Sequence, residues 1–166
     1  MGYGVTAYSV SLKTISSLFK SPEADVRDVA IRYGLAKHCK NEAIVKELIE
    51  EGTATNGGLG HEYFYAIEGM MQGIGIPMYA RHWYPVRSST FGLLEGDFQN
   101  LNSLLSIDIP EPGDFPWVLA LPNDAMTSEL SDKLKVKIND DELFEELQSW
   151  INQAKEENRD LVLYFY

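Results

Sequence analysis

The sequence is poor in the residues that disulfide bonding and metal binding use, and it lacks a membrane-spanning run. A single cysteine, Cys39, among 166 residues excludes an internal disulfide and favours a reducing compartment. Only three histidines are present, and no apolar run approaches the roughly twenty residues that span a bilayer. The start, MGYGVTAYSV, lacks the basic segment and long apolar run of a signal peptide. We therefore expect a cytoplasmic protein without a membrane partner.

Basic residues are also scarce, and the deficit lies in one part of the chain. Lys and Arg number 14 against 25 Asp and Glu, which gives a net charge of -11. Residues 1–94 hold nine residues of each sign, whereas residues 95–166 hold five basic and sixteen acidic ones. Because phosphate binding depends on Lys and Arg, this excess argues against a nucleic-acid partner and favours a basic protein partner.

The hydrophobic pattern predicts an α+β fold in a single domain over residues 1–166. Residues 3–12 and the closing LVLYFY predict N-terminal and C-terminal strands of a mixed sheet, packed by several amphipathic helices. The closing run is apolar throughout, so we expect it inside the sheet. Val136 and Ile138 alternate with lysines, which predicts an edge strand.

Helical spacing predicts helices over 22–38 and 61–74. In the second of these, Gly69 and Gly73 lie one turn apart and leave a bare flank where another backbone could approach closely. The glycine-rich segment 52–60 predicts a loop that is mobile unless a neighbouring segment or a ligand fixes it. A further helix is predicted from the spacing of Leu94, Phe98, Leu101 and Leu105.

Four short motifs carry a resemblance that spans nearly the whole chain. They are M-x-Y-G-x-x-x-Y-x-V at the start, Tyr65-Ala66-Ile67-Glu68, Asp114-Phe115-Pro116, and Trp150-x-x-x-Ala154 ahead of the final strand. In these the chain resembles a small family of uncharacterised bacterial proteins. The resemblance implies a bacterial, cytoplasmic, one-domain protein. The family has no known activity, so the resemblance supplies no functional residue.

The usual motifs of nucleophilic, metal and phosphate chemistry are missing. No G-x-S-x-G is present. His61-Glu62 is followed by Tyr65 where a zinc-protease helix would place its second histidine. Cys39 falls on a predicted helix, so we expect a small buried apolar residue rather than a nucleophile. We expect no metal and no cofactor, and we favour a protein without catalysis over an enzyme.

Two groups of polar residues remain as candidate sites. If the chain doubles back at Pro77, a ligand cluster would form that could perform acid–base catalysis or bind an anion. Its members are His61, Glu62, Arg81, His82 and Arg87. The alternative, which we favour, is that the arginines pair with surface acids. The second group is an acidic cluster on a predicted helix, either a solvated face or a docking face for a basic partner. Its members are Asp140, Asp141, Glu142, Glu145 and Glu146.

The leading hypothesis is a non-catalytic binding protein, most concretely an immunity protein that neutralises a cationic bacterial toxin. One-sided acidity and the absence of catalytic motifs favour it. The first alternative is an enzyme or small-ligand protein that uses the region from His61 to Arg87. The second is a scaffold or regulatory module that binds through exposed aromatics such as Trp83. The sequence leaves the oligomeric state open.

Overall fold

A computed structural model of the protein describes residues 4–83, 87–105 and 107–166. The chain forms two compact units, each built from separated segments. The first unit comprises Met1–Val10, Pro77–Leu101 and Trp117–Tyr166, and the second comprises Ser11–Ile76 and Asn102–Pro116. The single domain over residues 1–166 stays a prediction. Within the described residues, no helix combines the length and the apolar character needed to cross a bilayer.

One sheet contains both ends of the chain. Its strands are β1 (Val5–Val10), β2 (Ile76–Tyr79), β3 (Gln99–Asn100), β4 (Trp117–Leu121) and β5 (Asp160–Phe165). They lie in the order β2-β1-β5-β4-β3, so the C-terminal strand is central, as its continuous apolar run predicts. Where a mixed sheet was expected, the pairings β1–β5, β4–β5 and β3–β4 all run antiparallel.

Three helices accompany the sheet in the first unit: α5 (Arg87–Leu94), α6 (Ser128–Lys137) and α7 (Asp141–Glu156). Alternate residues of the strands and one stripe of α7 form a shared hydrophobic core. The strand residues include Leu119, Leu161 and Leu163, and the helix contributes Leu147, Trp150, Ile151 and Ala154. The predicted α+β class, with amphipathic helices packed on a sheet, is confirmed.

The edge strand predicted around Val136 is wrong, because this segment is the last turn of α6. Thr127 caps that helix by accepting a hydrogen bond from the N–H of Leu130. Lys133 and Lys137, one turn apart, both pair with the carboxylate of Asp97. Lys137, one of the lysines that alternate with the apolar residues, therefore shares the carboxylate of Asp97 with Lys133 one helical turn earlier, whereas Lys135 is exposed.

The helix predicted from Leu94 to Leu105 is also wrong, although the burial it implied is right. Leu94, Phe98, Leu101 and Leu105 are all buried. However, α5 ends at Leu94, and Gly96 then takes a left-handed conformation with φ of 89° that turns the chain. The following residues form the short β3 and a 3-10 turn at Leu101–Ser103.

The second unit is helical, with α1 (Leu12–Leu18), α2 (Ala24–Ala36), α3 (Glu42–Lys46) and α4 (Gly60–Ile74). Helices α2 and α4 pack at their glycines. A Cβ atom on Gly69 would lie 2.2 Å from the carbonyl oxygen of Tyr33 on α2. A Cβ atom on Gly73 would lie 2.5 Å from the ring of the same tyrosine. The predicted bare flank is thus occupied by a neighbouring backbone.

The glycine-rich segment 52–60 is tied to the helix that precedes it. Helix α3 continues into a π-helical turn, Glu47–Glu51, whose first carboxylate reaches into the segment. Glu47 Oε1 accepts hydrogen bonds from the N–H and the hydroxyl of Thr55, each at 2.7 Å. Its other oxygen accepts from the hydroxyl of Tyr63. A neighbouring segment therefore fixes this loop.

Candidate binding groove

The acidic cluster lies on the first two turns of α7. Asp140 is the N-cap of this helix, because its carboxylate accepts a hydrogen bond of 3.1 Å from the N–H of Leu143. Asp141 and Glu142 follow in the first turn, where the positive end of the helix dipole favours negative charge. The helix buries its opposite stripe in the core, so the acids face outward.

A groove of about 630 Å³ runs between this helix and the end of β2. Its size falls within the range of pockets that hold small molecules or short chain segments. One wall is a stripe of α7, formed by Glu142, Glu145, Glu146, Ser149, Trp150 and Gln153. The other is formed by Met78, Tyr79, Arg81 and His82. The groove thus joins part of the acidic cluster with part of the predicted ligand cluster.

Glu146 fixes the two walls to each other. Its Oε1 accepts a hydrogen bond of 2.6 Å from the backbone N–H of Arg81, and its Oε2 accepts one of 2.8 Å from that of His82. Hydrogen bonds to a carboxylate are stronger than those between neutral groups. Glu146 therefore has a structural role, because it holds the chain beyond β2 against α7.

Two aromatic contacts support the same attachment. The indole N–H of Trp83 donates a hydrogen bond of 2.9 Å to the carbonyl oxygen of Leu143. Its ring centre lies 6.2 Å from that of Trp150, within the distance at which aromatic pairs attract. Trp83 is almost completely buried, so an exposed binding role for it is excluded. At the groove surface, Nδ1 of His82 lies 3.3 Å from Oε2 of Glu142.

The predicted ligand cluster is divided between the two units. Arg81 and His82 line the groove of the first unit, whereas His61 and Glu62 lie at the start of α4 in the second. The backbone of Arg87 begins α5, and its side chain lies outside the described residues. The groove thus brings two of the five predicted residues to one site, together with acids that were assigned to a separate site.

The family model described as "Domain of unknown function (DUF7691)" matches residues 1–166. The chain belongs to this family. No curated protein and no solved structure matches the chain. Membership in DUF7691 confirms the resemblance to an uncharacterised family and brings no activity with it.

The four short motifs of the sequence lie in both units. Trp150 forms part of the groove, and Ala154 packs in the core one turn later. In the second unit Glu68 is fully buried on α4, and its Oε1 lies 2.5 Å from Nζ of Lys37. Phe115 and Pro116 are joined by a cis peptide bond. The motif from Trp150 to Ala154 thus borders both the groove and the core, and Glu68 joins α4 to the end of α2.

The surroundings of His61 and Glu62 do not activate a nucleophile. Nε2 of His61 lies 3.8 Å from Oε1 of Glu62, and its ring packs edge-on against Tyr65. Burial, aided by the nearby Glu62, raises the pKa of Cys39 to about 12, so its thiol stays protonated at neutral pH. Within the described ranges, no group of three or more His, Cys, Asp or Glu side chains could hold a metal ion.

Sequence reasoning missed the aromatic and apolar part of the groove. Tyr79 is 64% exposed, although large apolar side chains are usually buried. Met78 and Trp150 lie beneath the opening and are almost fully buried. The spacing of Glu142, Glu146, Ser149 and Gln153 along one helix could have predicted one wall. The opposite wall has no periodic pattern, so the sequence could not show which residues face this helix across the groove.

Proposed function

We propose that this protein is a non-catalytic, cytoplasmic binding protein for a basic protein. Most concretely, it would be an immunity protein that neutralises a cationic bacterial toxin by direct binding. One observation carries the proposal: exposed carboxylates of α7 form one wall of an open groove of about 630 Å³. The net charge of -11, concentrated after residue 94, would steer a cationic partner toward this surface.

The partners of the polar groups in the groove favour binding over catalysis. The carboxylate of Glu146 is used by two backbone amides, and Glu142 faces His82. A general base would have to be held within hydrogen-bonding reach of a reacting group. Asp141 and Glu145, two other acids near the start of this helix, are exposed, as suits groups that attract a partner electrostatically.

The test pairs the protein with the product of a basic toxin gene encoded beside its own gene. We expect co-expression to protect cells from that toxin, and we expect the purified complex to weaken as salt concentration rises. A triple variant, Asp141→Asn, Glu142→Gln and Glu145→Gln, should protect less well. A matched control removes three exposed acids of the second unit instead, by Asp28→Asn, Glu50→Gln and Glu51→Gln.

Two outcomes would contradict the proposal. If the protein neither binds nor protects against the basic product, the immunity function is rejected. If both triple variants lose protection equally, the α7 surface is not the binding face, because net charge alone then explains the loss. A complex that is indifferent to salt would also contradict the electrostatic basis of the proposal.

A further inference from the structure

Among the described residues, three carboxylates line the groove, and two of them already have a partner. Glu146 binds two backbone amides, and Glu142 lies beside the imidazole of His82. Over residues 4–83, 87–105 and 107–166, the side chain of Glu145 has neither a hydrogen bond nor an ion pair, and it is exposed. Its carboxylate is therefore available to a ligand without breaking a contact of the fold.

An exposed aromatic ring lines the same groove. Among the described residues, Tyr79 is the one large hydrophobic aromatic side chain that is exposed, with 64% of its surface accessible. The face of such a ring attracts cations, and arginine is the protein cation found there most often. The same groove is lined by Met78 and Trp150, whose small exposed apolar surface the methylene groups of a long side chain could cover.

The edge of β2 is unsuited to the other common mode of peptide recognition. This strand lies at one end of the sheet order, so an added strand could in principle pair with it. Pro77, however, has no N–H to donate, and proline in an edge strand discourages pairing. Just beyond the strand, the N–H groups of Arg81 and His82 are already bound by Glu146. A side chain entering the groove is therefore favoured over an added strand.

We propose that the groove is a receptor for an arginine side chain of a basic partner protein. The guanidinium would stack on Tyr79 and pair with Glu145, while its methylene groups would cover Met78 and Trp150. Arginine fits better than lysine, because its planar group can stack on a ring and bind a carboxylate through two N–H groups at once. Three carboxylates line the groove against the one guanidinium of Arg81, so a cation would still be attracted. This inference rests on the proposed function, since it names what that surface recognises.

The test uses three capped tripeptides: acetyl-triarginine amide, acetyl-trilysine amide and acetyl-tricitrulline amide. Binding to the full-length protein is measured by NMR titration of its ¹⁵N-labelled amides at fixed ionic strength. We expect triarginine to bind most tightly and tricitrulline least, with shifts centred on residues 79–82 and 142–146. Tyr79→Leu and Glu145→Gln should each weaken triarginine binding about two- to fivefold. The matched control, Asp141→Asn, removes one exposed charge from the same helix outside the groove and should have less effect.

The outcomes separate this inference from the proposed function. Equal affinity for triarginine and trilysine, or equal losses from Glu145→Gln and Asp141→Asn, would overturn the arginine receptor but leave a general attraction for basic proteins intact. Absence of binding by every peptide, or shifts centred outside the groove, would also overturn it. Failure of the proposed function would show separately, as a lack of protection against a basic toxin even if triarginine binds.

Discussion

Substituting two adjacent glutamates of α7 tests how the groove is built. Glu145→Gln and Glu146→Gln remove the same charge from neighbouring positions, yet only Glu146 binds the backbone amides of Arg81 and His82. Each hydrogen bond to a charged group contributes about 1.5–3 kcal/mol, and exposure to solvent reduces this. Glutamine keeps one acceptor oxygen without its charge. We therefore expect Glu146→Gln to lower the free energy of unfolding by about 1–2 kcal/mol.

For Glu145→Gln we expect a change within about 0.5 kcal/mol, because surface substitutions away from specific contacts have small effects. The assay is urea unfolding followed by tryptophan fluorescence. All three tryptophans belong to the first unit, and the ring of Trp83 packs on that of Trp150 beside the segment held by Glu146. With a urea slope of about 2 kcal/mol/M, the midpoint should fall by roughly 0.5–1 M. Equal midpoints for the two variants would refute the assigned role of Glu146.

Two further predictions concern the second unit and its helix packing. Gly69→Ala should lower the melting temperature, since the added Cβ would meet a backbone oxygen at 2.2 Å. The control Gly92→Ala lies in α5 of the first unit, where the added Cβ would meet no neighbouring atom within 4 Å, and it should raise the melting temperature. A rise in both would contradict the close packing of Gly69. Burial alone would raise the pKa of Glu47, but hydrogen bonds from Tyr63, Thr55 and Thr53 outweigh it and lower the pKa below 4.5. Glu47→Gln should therefore lower the free energy of unfolding most at neutral pH, and the difference from the unsubstituted protein should decrease as pH falls below 4.5. Urea titrations at several pH values measure this difference, and a pH-independent loss would refute the assignment.

The local spacing of apolar residues predicted the helices and strands that bury a continuous apolar stripe or an unbroken apolar run. Helix α7 was predictable because its apolar residues follow the helical period, and strand β5 because its apolar run is continuous. The segment around Val136 was not, because lysines at alternate positions also satisfy the spacing of a helix turn. What decided between them was the distant Asp97, which both Lys133 and Lys137 reach. Contacts between residues so far apart in sequence leave no local pattern.

The candidate site was predictable in its parts but not in its grouping. The acids of α7 lie on a helix that its apolar stripe predicts, and Arg81 and His82 stood out as polar residues among aromatics. Their meeting depends on the hydrogen bonds of Glu146 and the packing of Trp83, which form across about sixty residues of chain. Grouping His61 and Glu62 with Arg81 assumed a turn at Pro77, and the structure assigns these pairs to different units.

The residues of the acidic cluster have different roles, so substituting them should affect the association rate and the dissociation rate of a basic partner differently. Asp140 caps α7, Glu146 holds a neighbouring segment, and Glu142 faces His82, yet each still contributes to the long-range field. All five carboxylates can therefore accelerate encounter with a basic partner, whereas Glu145 alone retains a free carboxylate inside the groove among the described residues. Removing acids outside the groove should slow association in proportion to charge, and removing Glu145 should mainly speed dissociation.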